Sequence, residues 1–183
     1  MTIHIALLRA VNVGGRTIAM AELKAMITAL GFTNARTLLQ SGNVVFDSAG
    51  KTGAALETLL EAETEKRLKL HADYLVRTIE EWRAIVANNP FLREAKNDPS
   101  HLLAIPLKSA PKRTDLAALN AAIKGRETVR AKGRELYAVY PDGIGRSKLT
   151  IALIEKKLNM RGTGRNWNTM RKLLEMAETT VPT

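Results

Sequence analysis

The chain has 183 residues, 45% of them apolar and 25% charged, with no cysteine. That composition describes a packed protein of one large domain or two small ones, and it excludes a disulfide framework, an iron–sulfur cluster, a cysteine nucleophile and a cysteine-based zinc site. Lys plus Arg is 28 against 18 for Asp plus Glu, a formal charge of +10, and with neither an apolar run near ~18 residues nor a secretory leader the expectation is a cytoplasmic protein that does not enter the membrane.

Ile3–Val11 is an apolar run bounded by turn residues and reads as a buried strand. Asn12–Thr17 breaks it with the adjacent glycines Gly14 and Gly15. Met20, Leu23, Ile27 and Leu30 then form one helical stripe, which Gly31 stops. Ala35–Leu39 and Val44–Phe46 flank Gln40-Ser-Gly-Asn43 and read as a hairpin. Leu56, Leu59 and Leu60 open a helix to about Leu70, and His71–Arg77 reads as a strand. Thr78 and Glu81 fit a capping box for a helix whose stripe is Ile79, Trp82 and Val86. Asn89-Pro90 ends that helix, and Phe91–Ser100 reads as an irregular linker.

The second half repeats this order. His101–Leu107 is a predicted strand; Leu116, Leu119 and Ile123 mark a helix closed by Gly125; Glu127–Ala131 and Glu135–Tyr140 flank Lys132-Gly133 as a second hairpin. Ser147 is the expected N-cap of a helix through Leu158. Met160–Gly164 leaves little room for a last strand before a helix with the stripe Trp167, Met170, Leu173, Leu174 and Ala177. Strand, helix, strand, strand, helix, strand is the split βαβ of a ferredoxin-like unit. The expected fold is therefore α+β: tandem ferredoxin-like (βαββαβ) subdomains, antiparallel sheets with helices on one face, and an extra C-terminal helix. The expected bounds are 1–78 for the first subdomain, 79–100 for a connecting helix and linker, and 101–183 for the second subdomain.

In this arrangement the first two strands run the same way, so the loop after the first strand and the tip of the first hairpin share one end of the sheet. Arg9, Asn12, Arg16, Gln40, Ser41 and Asn43 would converge there, with the Gly14-Gly15 backbone just before a helix start that favours an anion. The bland reading is turn chemistry, in which glycine supplies positive φ and Asn and Ser bond their own backbone. A second candidate is Arg161-Gly-Thr-Gly-Arg-Asn-Trp-Asn-Thr169, where Asn166 is the expected N-cap and Arg165, with no evident structural task, is the expected ligand contact. Its Gly-x-Gly is weak as a phosphate motif. Residues 146–172 carry eight basic side chains (Arg146, Lys148, Lys156, Lys157, Arg161, Arg165, Arg171 and Lys172) against the single acid Glu155. Such a segment attracts polyanions, and its bland reading is a solvated face.

Other signals fail. There is no P-loop and no nucleophile elbow around Ser41. His4, His71 and His101 show no metal-ligand spacing, and His71 with Asp73 reads as a surface pair. No metal or cofactor is expected. Aromatics are only 4%, too few for a base-stacking sheet.

Ala6-Leu-Leu-Arg-Ala-Val-Asn-Val-Gly-Gly15, Met20-Ala-Glu-Leu23, Leu30-Gly-Phe-Thr33 and Gln40-Ser-Gly-Asn-Val-Val-Phe46 resemble the bacterial domain-of-unknown-function family 1697 (DUF1697). Ser147-Lys-Leu-Thr150, Ala152-Leu-Ile-Glu-Lys-Lys-Leu158 and Arg165-Asn-Trp-Asn-Thr169 are similar to its C-terminal pattern. The resemblance implies a small α/β protein of two ferredoxin-like subdomains and no assigned activity, substrate or catalytic residue. The chain departs from the family at Ala10-Val11, where Gly-Ile is usual. Three functions follow as expectations: binding of a small anionic ligand, phosphate- or nucleotide-like, at the first loop cluster; non-specific nucleic-acid binding through 146–172; or an enzyme in which a carboxylate or Ser41 acts in the first loop cluster, with no paired base evident for Ser41.

Overall fold

The computed structural model describes residues 1–10, 18–39 and 42–179. Its elements run β1 (Thr2–Ala10), α1 (Met20–Ala29), β2 (Thr33–Leu38), β3 (Asn43–Ser48), α2 (Gly53–Leu68), β4 (Ala72–Thr78), α3 (Ile79–Ala87), α4 (Leu92–Asn97), β5 (Leu102–Pro106), α5 (Arg113–Ala122), β6 (Thr128–Lys132), β7 (Glu135–Val139), α6 (Ile151–Leu158), β8 (Arg165–Asn166) and α7 (Trp167–Glu178). The architecture is α+β, as the patterning predicts. Among the described residues there are seven α-helices and two four-stranded sheets, ordered β2-β3-β1-β4 and β6-β7-β5-β8. Every pairing is antiparallel. The chain divides into two compact units, Met1–Ala84 with Lys172–Thr183, and Ile85–Arg171.

In the first unit β1 and β3 are buried on both faces, so alternation gives way to a nearly continuous apolar run. Ala6, Leu8, Val44, Phe46, Tyr74 and Val76 share one face and form a core with Leu23, Met26 and Ile27 of α1 and Leu56 and Leu60 of α2. Ile5, Leu7, Val45 and Leu75 on the other face are also fully buried. Gly31 takes φ +80°, the left-handed position that ends α1. The capping box at α3 forms both ways: the Thr78 N–H donates to Glu81 Oε2 at 2.9 Å, and the Glu81 N–H donates to Thr78 Oγ1 at 3.2 Å. β4 is an edge strand, and α2 covers that edge with carboxylates. The Tyr74 N–H donates to Glu61 Oε1 at 3.0 Å and the Val76 N–H to Glu57 Oε1 at 2.8 Å. These bonds satisfy donors that would otherwise template another strand. Glu57 also lies 3.8 Å from the guanidinium of Arg77, and both side chains are buried. The C-terminal part of α7 is held in this unit by Arg36 donating to the Met176 carbonyl and by an Arg83–Glu178 ion pair at 3.2 Å.

His4 is fully buried beside Phe46, with Nδ1 3.2 Å from Ser48 Oγ and no hydrogen-bond partner for Nε2 among the described residues. Burial holds its pKa below 6.5. The unfolded chain therefore binds the proton first as pH falls, so the stability that neutral His4 contributes is present above about pH 6.5 and is lost below it. Urea unfolding at pH 7.5 and 5.5 should show a loss from this group of up to about 1.3 kcal/mol. His4→Phe, which fills the same apolar space, should remove that part of the slope; an unchanged slope would assign it to other groups.

In the second unit Leu103, Ile105, Leu136, Ala138 and Tyr140 pack with Leu119 of α5 and Ile154 and Leu158 of α6. Burying each such aliphatic side chain is worth roughly 1.5–3 kcal/mol. The second hairpin turns at Gly133, φ +59°. Two expectations are corrected here. The stretch 91–100 is not irregular: it contains α4 and a 3-10 turn at Pro99–His101, with the Asn89 side chain accepting from the Phe91 N–H at 3.0 Å before α4. The cap of α6 is Thr150, which accepts from the Leu153 N–H, and not Ser147. Ser147 instead accepts from the Leu149 N–H at 2.9 Å and donates to the Glu127 carboxylate. The last strand, Arg165–Asn166, is as short as the room before the final helix suggests, and it abuts α7. Gly162 and Gly164 lie against β5 and the residue after it: an added Cβ would come within 2.7 Å of Leu107 Cδ2 at Gly162 and 2.9 Å of Leu103 Cδ2 at Gly164. That Gly-x-Gly therefore permits close packing.

Candidate functional site

The end of β1 and the start of β3 are joined directly. The Leu8 N–H donates to the Gly42 carbonyl at 2.7 Å, one step beyond the Leu7–Asn43 pair. Gly42 has φ +71°, and a Cβ there would sit 2.6 Å from Leu8 Cβ. Glycine is required on both counts, conformation and space. Across the hairpin Leu39 holds φ +60° and is 57% exposed. A bulky side chain in the left-handed region and turned to solvent is uncommon, and such strain concentrates at functional segments. The last residues of β1 and the base of the hairpin turn thus meet at one end of the sheet.

Of the predicted site residues, Arg9 faces Asp73 across β1 and β4, with Nη1 3.6 Å from Oδ2. Asp73 therefore pairs with Arg9 and not with His71, whose neighbour is Glu65 at 3.4 Å. Asn43 is buried, and its Nδ2 donates to the Leu38 carbonyl at 2.8 Å, closing the hairpin. Asn12, Gly14, Gly15, Arg16, Gln40 and Ser41 lie outside the described residues.

The second candidate resolves into local structure. Asn166 Oδ1 accepts from the Thr169 N–H at 3.0 Å, the expected N-cap of α7. Arg165 has a structural task that the sequence does not suggest: its Nη1 donates to Thr163 Oγ1 and to the Gly164 carbonyl, both at 2.9 Å. Burial pulls its pKa down to about 10, so it remains a cation at neutral pH. Within the basic segment Arg146, Lys148, Lys156, Arg161, Arg171 and Lys172 are exposed and Lys157 is half-buried. Arg161 lies 3.5 Å from the buried Glu155. Lys172 belongs to the first unit and the others to the second.

The structure adds a feature that sequence reasoning passes over. Ala118, Ala121, Ala122 and Lys124 from α5 and the residues after it line a groove with Leu153, Lys156 and Lys157 of α6. The available signal is the alanine-rich outer face that remains once Leu116, Leu119 and Ile123 are assigned inward. Elsewhere, burial pushes the Tyr74 hydroxyl up to about 12 while it bonds Thr64 Oγ1 at 2.7 Å. Tyr140 is likewise pushed up to about 12 and donates to the Leu149 carbonyl. Both hydroxyls hold structure.

The family model described as "Protein of unknown function (DUF1697)" matches residues 1–137, and the chain belongs to that family. The matched span includes both sides of the β1–hairpin junction; Ser147–Thr150 and Arg165–Thr169 lie beyond it. No curated protein matches the chain. The fold is similar to that of the conserved bacterial protein SP0830 from Streptococcus pneumoniae, with a TM-score of 0.69 and 20% identity over 97% of this chain and 99% of that one.

Proposed function

We propose that this protein binds a small anionic ligand, phosphate- or nucleotide-like, at the sheet end where β1 finishes and the β2–β3 hairpin turns, on a scaffold of two ferredoxin-like units. The strand orders β2-β3-β1-β4 and β6-β7-β5-β8, each drawn from a β-α-β-β-α-β succession, support the scaffold. The observation that carries the ligand reading is the Leu8–Gly42 bond. It ties the last residues of β1 to the hairpin, and the sequences that follow β1 and form the hairpin tip, 12–17 and 40–41, supply Asn12, Gly14, Gly15, Arg16, Gln40 and Ser41. Arg9, ion-paired with Asp73, lies at that end with further guanidinium donors, and the exposed Leu39 adds an apolar contact.

Thermal unfolding with phosphate, pyrophosphate and nucleoside mono-, di- and triphosphates at low salt tests the reading. At 100 times its dissociation constant a ligand adds about 2.7 kcal/mol, which raises Tm by about 5–10 °C for a chain of this size. Arg16→Ala should abolish the shift. No response to any of these anions would sink the proposal. Retention of duplex DNA, with a log–log salt slope of about −0.9 per phosphate, would transfer it to Arg146, Lys148, Lys156, Lys157, Arg161, Arg171 and Lys172.

A further inference from the structure

The groove between α5 and α6 combines three features. Its floor is apolar and shallow, because Ala118, Ala121 and Ala122 project nothing beyond Cβ and Leu153 forms a wall. Its rim is cationic: Lys124, Lys156 and Lys157 carry ammonium groups with no ion pair or hydrogen bond among the described residues. Its volume is about 610 Å³, within the span of small-molecule sites, roughly 300–1,000 Å³.

The charge is not neutralised from within. The acids on the two helices are Asp115 and Glu155. Asp115, in the first turn of α5, accepts from Thr114 Oγ1, and Glu127, beyond Lys124, accepts from Ser147 Oγ. Glu155 is buried and committed to the Gly162 N–H at 3.1 Å and to Arg161. Three cations without an ion pair among the described residues, set around an apolar floor, give the groove a positive potential. A monoanion would leave most of that charge unmatched. A wholly polar polyanion would leave the alanine floor unused.

We propose that this groove is a second binding site, for a small organic polyanion with a flat apolar body, of the nucleoside polyphosphate kind. The body lies on Ala118, Ala121, Ala122 and Leu153, and the phosphates meet Lys124, Lys156 and Lys157. The proposal is independent of the β1–hairpin site, and the test separates the two.

The full chain is titrated calorimetrically with ATP, inorganic tripolyphosphate and adenosine at low salt. ATP should bind about tenfold tighter than tripolyphosphate, and adenosine should not saturate. The Lys156→Ala/Lys157→Ala variant, altered at side chains that make no hydrogen bond or ion pair among the described residues, should lose at least about tenfold in ATP affinity. Ala121→Glu, on the exposed helix face, should lose as much while leaving Tm unchanged. The Arg16→Ala variant should keep this binding event. Equal affinity for ATP and tripolyphosphate would reduce the groove to a patch of charge and overturn the proposal. So would undiminished ATP binding in both groove variants, or binding of duplex DNA in place of ATP that the double lysine variant abolishes.

Discussion

Glu57→Ala is expected to lower the unfolding free energy by about 3–5 kcal/mol, because it breaks a buried ion pair by removing the carboxylate that faces the Arg77 guanidinium. Arg77 is 1% exposed, and the Glu57 side chain is 5% exposed. The carboxylate faces that cation and also accepts from the Val76 N–H at 2.8 Å on the edge of β4. Truncation therefore removes two interactions, one with the buried Arg77 cation and one with the Val76 backbone donor. For a chain of this length the loss corresponds to a fall in Tm of roughly 6–20 °C. Glu57→Gln separates the two contributions, since its amide oxygen can still accept from Val76 while the charge is gone. The double variant Glu57→Leu/Arg77→Met should recover most of the electrostatic loss, as replacing both members of a buried pair commonly does. Urea unfolding of the three variants decides the matter. A loss below about 1 kcal/mol for Glu57→Ala would mean that Arg77 is compensated by its other neighbours.

What could be read in advance follows a physical divide. Signals carried by a few neighbouring residues are legible: the αL stop at Gly31, the Thr78–Glu81 capping box, the Asn166 cap of α7 and the Gly133 turn all form where their residue types require them. Elements whose identity rests on distant partners are not. Arg165–Asn166 becomes a strand only because β5 lies alongside, pairing Leu103 with Asn166 and Ala104 with Arg165. The Gly162 and Gly164 pair looks like a ligand loop until Leu107 and Leu103 are seen to occupy the space where its Cβ atoms would be. Ser147 and Thr150 are equally good caps by type, and the Ser147–Glu127 contact, across twenty residues, decides between them. The α5/α6 groove is hidden for the same reason. Exposed alanines read as helix formers until a second helix with lysines is set beside them. At the β1–hairpin junction the sequence suggests which residues to examine, and the Leu8–Gly42 bond supplies the proximity that no local pattern encodes.

That bond also makes Gly42 the position where fold and proposed function are most tightly coupled. Gly42→Ala is expected to cost about 2–5 kcal/mol from two sources: roughly 1–2 kcal/mol for an L-residue forced into the left-handed region, and about 1–3 kcal/mol for overpacking. The overpacking cannot be relieved cheaply, because the contact at 2.6 Å is with Leu8 Cβ, which moves only with the β1 backbone. The chain can respond by separating the end of β1 from the hairpin, which would break the Leu8 N–H bond to the Gly42 carbonyl. Stability and ligand response should then fall together. A control is available in Gly31→Ala, where φ is also positive at +80° but nothing lies within 4 Å of the added Cβ. That substitution should cost only the conformational part, about 1–2 kcal/mol, and leave the anion-induced rise in Tm intact. If the two variants lose equal stability, close approach at the junction carries no energy of its own. If Gly42→Ala keeps the full anion response, the ligand does not sit where β1 and the hairpin meet.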